Sequence, residues 1–167
     1  MRIFLIGYMG CGKSFWGKQL AQILHFDFVD LDALIEEQQG MTIPQIFDEF
    51  GETEFRRREY QALHSLKNRE NVVVSTGGGA PCFNNNMEWM NQNGKTIFLQ
   101  LEPEVLMERI LNSDDQRPLV ANKNRTELLD YIQRHLQLRL PFYLQAHCIL
   151  SGENQNLQAL MDLVREG

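Results

Sequence analysis

Short runs of apolar residues alternate with longer stretches of helical periodicity along the whole chain. The short runs have the length of buried strands, and the longer stretches repeat their apolar residues every three or four positions. Strands are predicted at residues 2–6, 28–30, 71–75, 95–101 and 147–150. Helices are predicted at residues 13–24, 31–39, 43–50, 52–68, 84–93, 102–111, 126–140 and 154–166. Strands that alternate with helices are typical of βαβ units, so we predict an α/β domain with a parallel sheet.

Helix-breaking residues mark the ends of several predicted helices. They are Gly40, Gly51, Gly94 and Pro141. The residues from Thr42 to Gln45 have the pattern of a capping box with a proline in the first helical turn. Residues 112–124 are polar and lack periodicity, so we expect a mobile loop there. Because ligands of open α/β sheets bind at the carboxyl ends of the strands, the chemistry is expected in residues that follow strands.

The composition is that of an ordinary globular domain. The chain has 167 residues, of which 43% are hydrophobic and 23% are charged, and this length can bury a core without disulfide or metal staples. We therefore expect a single domain over residues 1–167. The net charge of −6 argues against a nucleic-acid or anionic-membrane partner held by bulk charge, but it leaves room for a local basic pocket.

The cysteines and the apolar segments bear on the compartment. Cys11, Cys82 and Cys148 are scattered and lack the spacing of metal ligands, which is typical of a protein in a reducing cytoplasm. No apolar stretch of the sequence approaches the length of a membrane span. The chain enters a predicted strand almost at once, so we expect no signal peptide, no membrane partner and a cytoplasmic protein.

A phosphate-binding loop is predicted between the first strand and the first helix. Residues 7–14 read G-x-x-x-x-G-K-S, in the strand–loop–helix context that this motif requires. Its glycines let backbone N–H groups turn toward phosphate oxygens, and the following helix adds the positive end of its dipole. Lys13 would reach the terminal phosphates, Ser14 would bind Mg²⁺, and Cys11 would fill a small-residue slot. The alternative is a chance match in a glycine-rich turn.

Two carboxylates close the second predicted strand. Asp30 and Asp32 close the segment Val-Asp-Leu-Asp, and strand alternation would aim both side chains the same way. Near a Mg-nucleotide they could hold the metal, or orient or deprotonate a hydroxyl acceptor. The alternative is that one of them simply caps the next helix.

An arginine run and a glycine run supply further candidates. Arg56, Arg57 and Arg58 lie near the start of a helix, where the dipole disfavours cations. We interpret Arg56 as an anion ligand, since guanidinium groups bind carboxylates in a fork geometry, and Arg57 and Arg58 as a solvated helix face. Residues 77–79 are three successive glycines, which are costly unless the backbone must approach something closely, and a substrate on exposed N–H groups is the interpretation that we favour over an ordinary loop.

Two more arginines follow in the polar loop and after it. Arg117 lies within residues 112–124, which could close over ATP as a lid and bring a guanidinium group to the developing phosphoryl charge. Arg139 precedes Pro141 at the end of a predicted helix. Its alternative role there is a favourable interaction with the helix dipole.

Together these residues resemble the shikimate kinase family, nearly from end to end of the chain. The matching segments are residues 7–14, Asp30-x-Asp32, Ile35-Glu36, Gly51-Glu52-x-x-Phe55-Arg56-x-x-Glu59, residues 77–79, residues 117–119 and Arg139-x-Pro141-x-Tyr143. The loop alone indicates only a nucleotide, whereas the ordered set is highly specific. The resemblance implies a three-layer α/β/α P-loop kinase fold with a five-stranded parallel sheet in the order 2-3-1-4-5. It also implies a lid at about residues 112–124 and a substrate-binding helical segment at about 31–62.

The resemblance further implies the reaction and its participants. Members of the family transfer the γ-phosphate of ATP to the 3-hydroxyl of shikimate, on the route to chorismate and the aromatic amino acids. We therefore expect a phosphotransferase with ATP as co-substrate, Mg²⁺ as metal, shikimate as substrate and a monomeric state.

The residue roles follow from the same match. Ser14 is expected to hold Mg²⁺ directly and Asp30 to hold it through water, while Lys13 and Arg117 stabilise the transferring phosphoryl group and Asp32 binds the acceptor hydroxyl and can act as its base. The residues expected to bind the nucleotide are Gly10, Cys11, Gly12, Lys13, Ser14, Phe15, Arg109 and Arg117, with Arg109 matched to the arginine that stacks on adenine. The residues expected to bind shikimate are Asp32, Arg56, Gly77, Gly78, Gly79 and Arg139, with the two arginines on its carboxylate.

The sequence departs from the family at the exit of the phosphate loop. The family usually has a small hydroxyl residue and then an aliphatic one after the Lys-Ser pair, whereas this chain has Phe15 and Trp16. We expect these rings to alter packing beside the loop and contacts on the adenine side, rather than the phosphate chemistry. The basic residue with which the family contacts adenine near the C-terminus is not evident in residues 151–154.

Two other functions remain open from the sequence. One is another small-molecule kinase of this fold, such as a gluconate kinase, although a linear polyol acid would need more hydrogen-bond donors than Asp32, Arg56 and Arg139 supply. The other is a nucleotide-binding module without turnover, which would have no use for an acceptor aspartate.

Overall fold

Five parallel strands form one sheet. The structure is a computed structural model that describes residues 1–113 and 122–166. The strands are β1 (Arg2–Ile6), β2 (Asp27–Asp30), β3 (Val72–Ser75), β4 (Lys95–Gln100) and β5 (Cys148–Ser151). They lie in the order β2-β3-β1-β4-β5, and every neighbouring pair is parallel. This architecture confirms the predicted P-loop kinase fold and strand order.

Helices flank the sheet and connect its strands. They are α1 (Lys13–Leu24), α2 (Leu31–Gln39), α3 (Ile43–Ser65), α4 (Asn86–Asn93), α5 (Pro103–Leu111), α6 (Arg125–Tyr143) and α7 (Leu157–Arg165). Short 3₁₀ turns lie at Leu66–Asn68, Ala80–Cys82 and Gly152–Asn154. Within the described ranges, no helix is long and apolar enough to cross a membrane.

The central strands β1 and β3 are buried along nearly their whole length. In β1 only Arg2 is partly exposed, and all four residues of β3 are buried, as expected for strands covered on both faces. The two strands are neighbours, with Phe4 opposite Val74. Just beyond β3, the N–H and the hydroxyl of Thr76 both donate to the carbonyl of Leu5, at 3.2 and 3.1 Å. The turns that follow β1 and β3 therefore leave the same edge of the sheet side by side.

The predicted start of α3 and the predicted break within it are both present. The Gln45 N–H donates to the Thr42 hydroxyl at 3.3 Å, and the Thr42 N–H donates to the Gln45 side chain at 2.8 Å, which completes the capping box. Gly51 has φ 80° and ψ 175°, so it separates two helical segments within α3. The predicted helix end at this glycine is thus a kink in the structure.

Helix α6 does not stop before Pro141, so the predicted end there is wrong. The helix continues to Tyr143. A proline this close to a helix end removes only one backbone hydrogen bond. The last residues stay helical because Tyr143, at the helix end, is fully buried and packs on Phe98 with ring centroids 5.0 Å apart.

Two predicted helix starts are also too early. Asn84 and Asn85 have φ of 53° and 55°, so α4 begins after them at Asn86. Helix α7 begins at Leu157, where the side chain of Asn156 accepts from the N–H of Ala159 at 2.8 Å. In both segments asparagine side chains or left-handed backbone compete with the helix, as is common for this residue. The predicted mobile loop falls largely on residues 114–121, which lie outside the described residues.

Candidate active site

The phosphate-binding loop connects β1 to α1 in the conformation that its glycines allow. Gly10 and Gly12 have φ of 79° and 97°, values that other residues rarely adopt. Cys11 is fully buried, as expected for a packing residue. Among the described residues, no side chain caps α1 and no acidic residue lies in its first turn. The N–H groups at this helix start are therefore left for an anion.

Lys13 lies inside this loop. Its ammonium group donates to the carbonyl of Gly7 at 2.7 Å and to that of Tyr8 at 2.9 Å. The side chain is 9% exposed. The loop thus holds a buried positive charge beside the uncapped helix start, which is an arrangement suited to phosphate.

Ser14 and Asp30, the two predicted metal ligands, are hydrogen-bonded to each other. The Ser14 hydroxyl donates to the Asp30 carboxylate at 2.8 Å and lies 3.1 Å from the hydroxyl of Ser75. The other Asp30 oxygen accepts from the N–H groups of Asp32 and Ala33, at 3.1 and 3.3 Å. Asp30 therefore also caps α2, which is the alternative that the sequence left open for it.

Asp32 is not on a strand, so the strand-alternation prediction for the two aspartates is wrong. Strand β2 ends at Asp30, and Asp32 lies in the first turn of α2. The cap formed by Asp30 begins the helix one residue after the strand, and this change of direction overrides alternation. Both carboxylates nevertheless line one cavity with Lys13 and Ser14.

That cavity has a volume of about 580 Å³. It collects predicted site residues from the phosphate loop, the start of α2, the turn after β3 and the end of α5: Gly10, Gly12, Lys13, Ser14, Phe15, Asp30, Asp32, Gly77, Gly78 and Arg109. Arg56 is not among these lining residues and lines another cavity, of about 720 Å³. The structure thus brings together residues that the sequence had proposed separately.

The three glycines after β3 are the meeting point of four charged side chains. A Cβ on Gly77 would stand 2.9 Å from a carboxylate oxygen of Asp32 and 3.2 Å from one of Glu59. A Cβ on Gly78 would stand 2.9 Å from a guanidinium nitrogen of Arg139, and a Cβ on Gly79 would stand 2.5–2.9 Å from the guanidinium group of Arg56. The glycines are therefore needed because side chains of this chain occupy the space that their own Cβ atoms would take.

The guanidinium group of Arg56 is enclosed on several sides. It donates to the Glu59 carboxylate at 2.8 Å, and its Cζ lies 4.0 Å from the ring centroid of Phe83 and 5.1 Å from that of Phe55. Its Nε is buried and forms no hydrogen bond within the described chain, although it lies 3.5 Å from a carboxylate oxygen of Glu52 as an ion pair. A buried donor without a hydrogen bond is expected to bind an acceptor brought by a ligand.

Arg139 and Tyr143 both lie on α6, and both contact the same turn. The Tyr143 hydroxyl donates to the Gly78 carbonyl at 2.6 Å. The Arg139 guanidinium group also lies 5.6 Å from the ring centroid of Tyr8 in the phosphate loop. One face of α6 thus contacts both the phosphate loop and the turn formed by residues 77–79, which we call the glycine turn.

The two carboxyl groups beside Gly77 are held in an environment that disfavours their charge. Burial raises the pKa of Asp32, the charge of Asp30 adds to the rise, and Lys13 opposes it. Burial also raises the pKa of Glu59, which is 1% exposed, against the charge of Arg56. A carboxylate with a raised pKa is a better base than an exposed one.

No role was predicted for Glu59, Phe83 or Tyr143. Glu59 lies three residues after Arg56 in one helix, and this spacing could have indicated the ion pair. Phe83 comes from a distant segment, so no local signal predicts its contact with Arg56. Of the other predicted residues, Arg109 lines the cavity of about 580 Å³ beside the phosphate loop, which we call the phosphate cavity. Arg117 lies outside the described residues.

Comparison with known proteins points to one family. The model of the shikimate kinase family matches residues 9–166 of this chain. A shikimate kinase from Bacteroides thetaiotaomicron is 45% identical over 98% of this chain and 99% of that protein. A shikimate kinase from Bacteroides fragilis is 50% identical over 92% of this chain and 86% of that protein.

Solved structures agree with the sequence matches. The crystal structure of shikimate kinase from Bacteroides thetaiotaomicron aligns with a TM-score of 0.91 at 45% identity, covering 99% of this chain and 94% of that one. A shikimate kinase from Acinetobacter baumannii, in complex with shikimate, aligns with a TM-score of 0.85 at 35% identity, covering 98% and 92%.

The raised pKa of Asp32 predicts that Asp32→Asn stabilises the protein at neutral pH. The ionised carboxylate is less favourable in the folded than in the unfolded chain, so removing its charge should raise the midpoint of thermal unfolding. The gain should be largest above the folded-state pKa of Asp32. It should shrink as the pH falls through that pKa toward the ordinary value of aspartate, where both states bind the proton. Calorimetry across this pH range measures it.

Asp48→Asn is the matched control for this measurement. Asp48 is exposed on α3, and its replacement should leave the midpoint nearly unchanged. A lower midpoint for Asp32→Asn than for the unaltered chain at neutral pH would contradict an unfavourable charge at this position.

Proposed function

This chain belongs to the shikimate kinase family, and from that membership we propose a role for each described residue of the site. The reaction is the ATP-dependent phosphorylation of the 3-hydroxyl of shikimate, which yields shikimate 3-phosphate and ADP. The observation that supports the assignment best is the gathering of two guanidinium groups and a carboxylate with a raised pKa on one glycine turn beside the phosphate loop. A small hydroxylated acid is the acceptor that such a turn can hold.

Arg56 and Arg139 bind the carboxylate of shikimate in this proposal. Both guanidinium groups lie against the adjacent glycines Gly78 and Gly79, so one carboxylate can reach both. Glu59 and the ring of Phe83 fix the plane of the Arg56 guanidinium group. Hydrogen bonds between two charged partners are the strongest that a polar ligand can form, and a fixed fork orients the rest of a rigid ring.

Asp32 binds the acceptor hydroxyl from the other end of the turn. Its carboxylate lies against Gly77 and lines the same cavity as Lys13 and Ser14 of the phosphate loop. Because burial raises its pKa, Asp32 can accept the hydroxyl proton as the phosphoryl group is transferred. The backbone of Gly77, Gly78 and Gly79 contacts the substrate between these groups, while the charged side chains occupy the positions that the Cβ atoms of the glycines would take.

The phosphate loop binds ATP in the same proposal. Gly10, Cys11, Gly12, Lys13, Ser14 and Phe15 form the loop and the first turn of α1, and Lys13 stabilises charge on the transferring group. Arg109 lines the phosphate cavity, and by the family match it stacks on the adenine of ATP. Arg117 would act from the lid at about residues 112–124.

Ser14 and Asp30 are the residues that fit a Mg²⁺ ion. They supply a hydroxyl and a carboxylate oxygen already in contact at 2.8 Å. Mg²⁺ is usually held by one or two protein oxygens together with water and the phosphates of the substrate. The metal would neutralise charge on the phosphates, while Ser75 and the α2 cap keep both protein oxygens in place.

We also propose an oligomeric state and a cellular compartment for the protein. We expect one domain over residues 1–167 that acts as a monomer in the cytoplasm without a nucleic-acid or membrane partner. The net charge of −6 and three free cysteines support this expectation.

A coupled ADP-release assay tests the function. We expect ADP release that depends on shikimate and is absent with gluconate or without an acceptor. Release with gluconate alone would support the other small-molecule kinase, and MgATP binding without turnover would support a binding module.

The Asp32→Asn variant tests the role of Asp32 in the same assay. It should lower shikimate-dependent turnover by roughly 10²- to 10⁴-fold, the usual contribution of a positioned general base. Binding of MgATP should stay within about twofold of the unaltered chain because the phosphate loop is untouched. Equal losses in turnover and in MgATP affinity would show that Asp32 supports the fold of the loop instead.

Arg56→Lys is expected to raise the KM for shikimate by about 10- to 100-fold, since a charged hydrogen bond contributes about 1.5–3 kcal/mol and lysine cannot form the fork. The KM for ATP should not change. Arg57→Lys is the matched control, because Arg57 is exposed and pairs with Glu54 away from the glycine turn. Steady-state kinetics measures both variants. An unchanged KM for shikimate in Arg56→Lys would rule out this residue as a carboxylate ligand.

A further inference from the structure

Phe15 is an exposed aromatic residue on the wall of the phosphate cavity. It follows Ser14 in the first turn of α1, lines the cavity and is 62% exposed. Its ring stands edge-on to that of Trp16, with centroids 4.9 Å apart and an interplanar angle of 74°. The pair therefore leaves a large part of the Phe15 ring open to solvent beside a site for a triphosphate.

The two ends of the cavity differ in chemistry. Asp30, Asp32, Ser75 and the glycine turn form one end, where the acceptor and the metal are expected. At the other end, a Cβ on Gly12 would contact both Trp16, at 3.2 Å, and Arg109, at 3.4 Å. Phe15 and Arg109 line the cavity here, and Trp16 links them because it packs on Phe15 and lies, like Arg109, against Gly12.

The direction of the triphosphate follows from these two ends. The γ-phosphate must face the acceptor, because it is transferred to the acceptor hydroxyl in line. The remaining phosphates lie along the loop, so the nucleoside leaves the cavity at the end bounded by Phe15 and Arg109. An exposed phenyl ring at that point meets the nucleoside rather than the phosphates.

We propose that the ring of Phe15 is a packing surface for the nucleoside of the bound triphosphate. The proposal rests on the proposed ATP-dependent function and names a contact within it. The phenyl ring offers no hydrogen-bonding group to phosphate, so its contribution depends on the base and ribose alone. Stacking of a base on an aromatic side chain corresponds to about a 5- to 100-fold change in affinity. Burial of the exposed ring by the ligand adds to the gain in affinity.

The experiment compares a ligand that has the nucleoside with one that lacks it. The dissociation constants of MgATP and of Mg-tripolyphosphate are measured by calorimetry for the full chain, for Phe15→Ala and for Phe15→Tyr. Ile23→Ala is the matched control, because Ile23 is an exposed apolar residue, 46% exposed, farther along the same helix. Alanine is chosen for its high helix propensity and because it introduces no hydroxyl that could contact a phosphate.

Phe15→Ala should weaken MgATP by about tenfold and leave Mg-tripolyphosphate within about twofold. Phe15→Tyr should retain the affinity for MgATP, and Ile23→Ala should change neither ligand. In steady-state kinetics, Phe15→Ala should raise the KM for ATP by the same factor, while kcat and the KM for shikimate remain within about twofold.

Two results would overturn the proposal. An equal loss for both ligands would mean that the ring supports the loop and not the nucleoside. An unchanged KM for ATP in Phe15→Ala would mean that the nucleoside does not contact the ring. Either result differs from failure of the proposed function, in which the unaltered chain itself would bind no MgATP or release no shikimate-dependent ADP.

Discussion

The absence of three Cβ atoms after strand β3 is the constraint on which the acceptor side of this site depends. Gly77, Gly78 and Gly79 leave open the positions that Asp32, Glu59, Arg139 and Arg56 approach to within 2.5–3.2 Å. Any side chain on these glycines would displace a charged group that another element supplies. The charged side chains around this turn are thus positioned before any substrate binds. A substrate bound there would be oriented by groups already held in place.

The sheet joins this glycine turn to the phosphate loop. Because β1 and β3 are neighbours, the two glycine-rich turns leave the same edge, and Thr76 ties them together through two hydrogen bonds to Leu5. Helix α6 makes a second connection, since Tyr143 bonds the glycine turn and Arg139 contacts the ring of Tyr8. The phosphate loop and the glycine turn are therefore joined through rigid elements of the fold, and phosphoryl transfer requires such fixed positioning.

Much of the fold could be predicted because its signals are local. Buried strands read as apolar runs, the phosphate loop has a fixed spacing, and Thr42 caps α3 in a recognisable pattern. The failures include one caused by distant packing and one caused by a local helix cap. Pro141 does not end α6 because Tyr143 is buried against Phe98, and Asp32 leaves the strand because Asp30 caps a helix there. For the site, residue types indicated the chemistry, but the enclosure of Arg56 by Phe83 depends on tertiary packing.

In the proposed function, the glycine turn presents Arg56 to the carboxylate of shikimate. Calorimetric titration of shikimate into Gly79→Ala is the sharpest test of this contact. Gly79 has φ −85° and ψ −16°, a conformation open to alanine, so the fold and MgATP binding should be kept. The added methyl group would overlap a guanidinium group that Glu59, Phe55 and Phe83 hold in place. We expect shikimate to bind at least about tenfold more weakly, which is the loss expected for a charged hydrogen bond. Unchanged shikimate affinity in a folded Gly79→Ala variant would contradict it.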